Sequence, residues 1–138
     1  MLYDQNDVDS IALCAWKEAR GDGEIACRLV MNVIYNRTQH VGFARTIHDV
    51  IYGKNQFTSM SVPSDPEFNL EPQAGDAIYA ACLIDAGPVL LGVMDDLTNG
   101  AVWYANEEEV EAGGWYERNI INGAHPVTLR YGHHTFRA

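Results

Sequence analysis

Basic residues are scarce in this chain: 9 Lys and Arg stand against 19 Asp and Glu, a net charge of −10 over 138 residues. No stretch gathers enough of them to track a phosphate backbone, so nucleic acid is excluded as the expected partner, and the acidic surplus repels an anionic membrane surface. Cysteine is sparse as well. Cys14, Cys27 and Cys82 lie on or beside apolar positions, are odd in number and lack Cys-x-x-Cys spacing, so they read as reduced core thiols rather than a disulfide framework or a structural zinc site. No apolar run approaches the ~20 residues that a membrane-spanning helix needs, which excludes stable membrane insertion. Residues 1–7 are polar and acidic with no apolar run behind them, unlike a secretory signal. Internal repeats and low-complexity tracts are also missing.

What is present suits one domain over residues 1–138, long enough for a single core that buries roughly two thirds of the unfolded surface. Val8, Ile11, Ala12, Ala15 and Ala19 recur at helical spacing, with Asp9, Lys17 and Arg20 pointing away and Gly21 as a stop. A second helix is predicted over 23–38, with Ile25, Ala26, Leu29, Val30, Val33 and Ile34 inward. A short helix over 46–53 has a capping-box start and a glycine stop. Residues 55–60 read as extended, and 61–72, with three prolines, as a loop long enough to suspect a binding role. Pro72 suits the first position of a third helix running to Ala86, with Ala74, Ala77, Ile78, Ala81 and Cys82 inward and Gly87-Pro88 ending it. Residues 89–94 fit a short strand or the end of a helical hairpin, 95–100 a turn, and 101–105 and 127–131 strands. Between those strands lie Glu107-Glu108-Glu109 and Gly113-Gly114-Trp115-Tyr116, an acidic and then aromatic excursion. Helices first and strand-like pieces last predict an α+β fold that is mainly helical.

Glu18 is the side chain out of place. At about 100° per residue it falls about 20° from Ile11, on the edge of the apolar face and in the last turn of its helix. Desolvation and the negative end of the helix dipole both favour an acid there that keeps its proton, as a general acid must. Two other readings stay open: Glu18 snorkels outward, or it pairs with a buried arginine. Arg37 falls on the apolar face of the second helix and needs partners. Either it hydrogen-bonds carbonyls at helix ends and ties its helix to a neighbouring loop, or it sits beside Glu18.

From Glu18 to Arg37 the chain reads EARGDGEIACRLVMNVIYNR, and further on come Phe43, Asp49-Val50-Ile51, Gln56-Phe57-Thr58, Gly100-Ala101 with Tyr104, and Gly132, His134 and Phe136. This ordered set resembles the SleB-type cell-wall hydrolase family, the spore-cortex-lytic and phage-lysin group, over most of the chain, with 62–93 weakly matched. Departures are Asp22 for Glu, Ala26 and Leu29 where Gly and Ala are expected, Ala44 for Pro, and His48 where many members carry Cys.

The resemblance implies a lysozyme-like, lytic-transglycosylase-like fold and cleavage of the β-1,4 bond between N-acetylmuramic acid and N-acetylglucosamine, with Glu18 as the catalytic residue. It implies no metal and no organic cofactor. In the lytic route one carboxyl group suffices, as acid and then base, and the product is a 1,6-anhydro sugar. Hydrolysis needs a second carboxylate across the sugar, at about 5 to 9 Å; Asp22, Glu67, Glu71 and Asp96 are candidates that no spacing singles out. Gln56, Thr58 and Tyr104 are carried over as substrate-binding residues, and His134 joins them as a fold or groove-lining residue. His133 should face solvent, since neighbours on a strand point to opposite faces. Phe57 and Trp103 fit core packing as well as a groove, and Trp115-Tyr116 either stack on a glycan or anchor their loop. The partner implied is the peptidoglycan glycan strand. With no export signal, release as a phage lysin through a holin or delivery with a virion would bring such a protein to the wall, and a bacterial enzyme lacking its upstream targeting region is the third alternative. A rival from another class is a catalytically silent glycan-binding or structural module of the same fold, for instance in a phage particle.

Overall fold

The computed structural model describes residues 3–138; Met1 and Leu2, which open the polar N-terminal segment, lie outside the described residues. Helix α1 (Gln5–Ala19) begins at a reciprocal cap, in which Asp4 accepts from the Asp7 backbone N–H at 3.0 Å and Asp7 from that of Asp4 at 3.1 Å. Ile11, Ala12, Cys14 and Ala15 are fully enclosed. Small residues at 12 and 15 let neighbouring helices approach closely, and α1 becomes the axis of the main core.

A 3₁₀ turn (Arg20–Asp22) and Gly23, at φ +95°, swing the chain into α2 (Glu24–Thr38). Its buried face holds Ala26, Leu29, Val30, Val33 and Ile34 as expected, but Ile25 is exposed. Ile25 lies on the line of Arg28, Asn32 and Asn36, and this polar edge is turned toward the 95–100 turn. Asn36 donates to Asp96 at 2.8 Å, Asn32 accepts from the Leu97 N–H at 3.2 Å, and Arg28 donates to the Asp95 carbonyl.

Helix α3 (Ile47–Tyr52) is capped by Thr46, which accepts from the Asp49 N–H at 3.1 Å. Where the sequence suggested an extended segment, buried Phe57 instead anchors a single helical turn, α4 (Thr58–Ser61). The next helix, α5 (Ala77–Leu90), starts later than predicted and passes through Gly87-Pro88. Asp76, not Pro72, begins it: its carboxylate accepts from the Tyr79 N–H at 2.9 Å and from the Trp16 indole at 3.2 Å. Ala74 and Ala77 are consequently exposed, and the inward residues are Cys82, Ala86, Val89 and Leu90. Pro88 is tolerated near the end because the carbonyl it leaves free is that of Ile84, whose side chain is on the solvent side.

Strands β1 (Trp103–Ala105), β2 (Val127–Tyr131) and β3 (His134–Arg137) form an antiparallel sheet in the order β1-β3-β2. The central strand is the last in the chain, and Tyr104 pairs with Phe136 across it. Phe136 packs with Leu29, Val33 and Ala101, so the sheet closes on α2. A π-helical turn (Glu117–Ile121) lies between β1 and β2. The three cysteines are free and buried, and no helix among the described residues is long and apolar enough to cross a membrane. The architecture is α+β and mainly helical, as read from the order of elements.

One inversion bears on the site. Lys17, expected to face solvent, is buried; its ammonium donates to the carbonyls of Ser59 at 3.2 Å and Phe68 at 2.8 Å and lies 5.7 Å from the Phe68 ring. The segment 62–76 folds back over this side of α1, where Arg20 also stacks on Trp16 and pairs with Glu67. Helical periodicity identifies the face turned to other helices, and here a loop covers a second face. Lys17→Met should keep the helical content but lose about 1–3 kcal/mol of stability in urea unfolding, because two buried carbonyls lose their donor.

Candidate active site

Glu18 closes the last turn of α1 at the wall of a cleft of about 620 Å³. Its side chain is exposed to that cleft rather than sunk in the core, which corrects the expectation of an inward, desolvated acid. It is held from two sides. Ser59 of α4 donates to Oε2 at 2.7 Å, and Tyr104 of β1 donates to Oε1 at 3.1 Å. A hydroxyl can rotate between donor and acceptor, so both partners suit a carboxyl group that changes protonation state. Tyr104 stacks on Phe136 at 5.5 Å, and burial, followed by the nearby Glu18, pushes its phenol well above the usual tyrosine range. The Cys14 thiol beneath is pushed up by the same two causes in the same order.

The opposite wall is built on Arg37. Its guanidinium donates from Nε to the Val102 carbonyl at 2.8 Å and from Nη1 to Gln56 Oε1 at 3.1 Å, tying α2 to β1 and to the segment before α4. Phe43, Phe57 and Trp103 surround it at 5.1, 5.5 and 5.6 Å. Arg37 thus ties its helix to neighbouring loops as expected, although the backbone carbonyl it meets is that of Val102, just ahead of β1, rather than one at a helix end. It borders the same cleft as Glu18, yet no ion pair joins the two among the described residues. Because Arg37 holds the oxygen of the Gln56 amide, the amide N–H₂ is left to donate elsewhere. Trp103 packs against Trp115 at 5.7 Å and Tyr116 at 6.3 Å, and all three rings line the cleft. Burial, followed by Glu107, pushes the Tyr116 phenol up to about 12.

Of the residues singled out in the sequence, Glu18, Gln56 and Tyr104 share this cleft. Thr58 and His134 do not line it. Thr58 opens α4 with its hydroxyl turned to Asp65, at 2.6 Å, while the next residue, Ser59, reaches Glu18. His134 stands behind Tyr104, ring to ring at 5.8 Å, and borders a separate hollow with Glu107 and Arg130; His133 is exposed. Phe57 belongs to the core and also lines the cleft, whereas Trp103 is half-buried outside the core, packed on Phe43 at 5.2 Å, and lines the cleft. Among the candidate second carboxylates, Glu67 pairs with Arg20, and Asp96 is held in its turn. Against burial, which works the other way, hydrogen bonds from Thr98 and Asn36 keep Asp96 below the usual carboxylate range. Asp22 and Glu71 are exposed elsewhere, and Glu18 is the only acid lining the cleft among the described residues. Ser59, Lys54 and Asn55 carry no mark of a site in the sequence, apart from the place of Ser59 next to Gln56-Phe57-Thr58. No cluster of three or more His, Cys, Asp or Glu among the described residues is arranged to hold a metal.

The model of the cell wall hydrolase family matches residues 21–137. The chain belongs to this family. Glu18 stands just ahead of the matched span. The catalytic domain of the Bacillus cereus SleB protein is similar over 99% of this chain and 93% of its own, with 26% identity and a TM-score of 0.73. The catalytic domain of the germination-specific lytic transglycosylase SleB from Bacillus anthracis is similar over 99% of this chain and 97% of its own, with 25% identity and a TM-score of 0.71. No curated protein matches the chain in sequence. This cell wall hydrolase therefore has the lysozyme-like α+β fold of the SleB catalytic domains, and the family's activity is the cleavage of peptidoglycan.

Two measurements probe the cradle around Glu18. Ser59→Ala and Tyr104→Phe should each fold normally and slow turnover about tenfold or more, read as initial rates on cell-wall suspensions, because each frees one side of the carboxyl group. Since burial favours the neutral phenol, ultraviolet difference titration of wild type against Tyr104→Phe should show no phenolate from Tyr104 at about pH 10, where a free tyrosine is half ionised.

Proposed function

We propose that residues 1–138 act as one catalytic domain that cuts the β-1,4 bond between N-acetylmuramic acid and N-acetylglucosamine by lytic transglycosylation, with Glu18 as acid and then base. The observation that carries this reading is the single acid in the cleft, cradled by two hydroxyls and faced by aromatic rings. Glu18 gives its proton to the glycosidic oxygen as the bond from C1 breaks. As carboxylate it then takes the proton of the muramyl C6 hydroxyl, whose oxygen closes on C1 to form the 1,6-anhydro ring. A hydrolytic route calls for a second carboxylate across the sugar, and the four candidates lie away from the cleft wall.

Gln56 and Tyr104 are the proposed substrate-binding residues inside the cleft: the free amide N–H₂ of Gln56 suits an N-acetyl carbonyl, and Tyr104 both holds Glu18 and lines the sugar site. Trp103 and half-exposed Trp115 offer faces on which sugar rings can stack. Thr58 and His134 contribute at one remove, Thr58 by opening the turn that carries Ser59 and His134 by backing Tyr104. The similar Bacillus anthracis SleB catalytic domain is that of a lytic transglycosylase, and this likeness supports the lytic route.

Glu18→Gln is expected to fold like the wild type and release no muropeptides from purified sacculi. Mass spectrometry of the wild-type products should find anhydro-muramyl ends, lighter by one water than hydrolysed ones; products carrying the added water would replace the lytic route by hydrolysis. A protein that sediments with walls and leaves their turbidity unchanged would be a binder only.

A further inference from the structure

Arg37 is only 7% exposed, yet it lacks what half-buried Arg137 has. Arg137 lies against Glu107 at 2.6 Å, whereas no carboxylate is within ion-pairing distance of Arg37 among the described residues. Its Nε and Nη1 are taken by Val102 and Gln56, and among the described residues no partner meets Nη2. A guanidinium keeps its charge in proteins, and a buried charge without a counter-ion is costly, so the missing partner calls for an account. Burial pulls this group below the ordinary arginine value; the groups that work against that pull are the phenols of Tyr104 and Tyr116 and the thiol of Cys14, with no carboxylate among them. Lys54 borders the same cleft, is exposed, and makes no ion pair among the described residues. In a chain of net charge −10, this one cleft gathers, among the described residues, two cations without an ion-pair partner and a single acid. Charges of that sign, aimed at the place where substrate lies, select for a negative group on the substrate.

We propose that Arg37 and Lys54 form an anion subsite that receives a carboxylate carried by the glycan next to the bond being cut. This rests on the peptidoglycan reading and deepens it to a class of substrate: strands bearing a free carboxylate, preferred over neutral ones. Two sources present the same group. On a peptide-free strand it is the lactyl carboxylate of the muramyl sugar; on a stem-bearing strand the lactyl group is an amide and the carboxylate comes from an acidic residue of the stem. Arg37, rigid in its aromatic cage, supplies a directed N–H, and Lys54 a mobile point charge at the rim. Neither bears on the reacting bond, so the subsite acts on binding.

The test measures binding by calorimetry to the Glu18→Gln chain, which does not consume the ligand. The ligands are peptide-free muramyl oligosaccharides with the lactyl carboxylates free or methyl-amidated, and stem-bearing fragments with the acidic residue free or amidated. In at least one pair the free carboxylate should bind about tenfold more tightly at low salt, and that pair identifies the source. Added salt should shrink the difference. Lys54→Gln, an exposed change that leaves the fold alone, should reduce the preference several-fold and raise KM for the charged substrate in the otherwise wild-type enzyme with kcat unchanged. Equal binding of free and amidated forms in both pairs, or an unaltered preference in Lys54→Gln, overturns the subsite and leaves the peptidoglycan reading standing. Failure of every oligosaccharide to bind overturns both.

Discussion

The packing of α1 is the constraint on which the site depends. A helix whose inner positions are fully enclosed cannot rotate or slide, because any shift would open voids along a close-packed interior. Glu18 is the residue before its last position, so the direction of the carboxyl group is inherited from burial below it. What holds the group at its tip is different in kind. Ser59 and Tyr104 come from a one-turn helix and a three-residue strand, elements too short to be stable alone. They are placed by their own anchors, Phe57 and Phe136, both buried.

Two buried cations organise the loops that complete the cleft. Lys17 gathers the carbonyls of Ser59 and Phe68, and Arg37 those of Val102 and the Gln56 side chain. In each case a charge meets neutral acceptors rather than a carboxylate, which fixes irregular backbone while leaving the acid of the site unpaired. Had either cation sat against Glu18, the carboxylate would be locked in an ion pair and poorly suited to hold and return a proton. The cleft keeps its acid and its cations apart, and that separation gives the two kinds of chemistry room to coexist.

Periodicity in the chain predicts burial where one regular element packs on another. The stripe of α1, the inner face of α2, the cap of α3, the strand over 127–131 and the reduced cysteines all follow from local pattern and hold in the structure. Periodicity does not predict burial where irregular backbone supplies the partner. A helix wheel places Lys17 in solvent because it cannot represent the 62–76 segment lying over it. It places Ile25 in the core because the polar edge depends on where the 95–100 turn docks. Pro72 is a permissive first residue for the third helix, whereas Asp76 takes the position with two hydrogen bonds, one of them from the distant Trp16.

By itself the sequence determined that this is a mainly helical α+β chain, that its cysteines belong to the core rather than to a disulfide framework, and that Glu18 stands at the end of a helix where an acid is conspicuous. Those properties are local, set by side-chain polarity repeating along one element. Only the tertiary structure decided what Glu18 touches, that Thr58 turns aside while Ser59 reaches it, that Arg37 has no acid partner, and that Lys17 lies inside. Each of these depends on segments far apart in the chain meeting in space, and the geometry of such a meeting comes from the sum of all packed contacts rather than from any stretch that can be read alone.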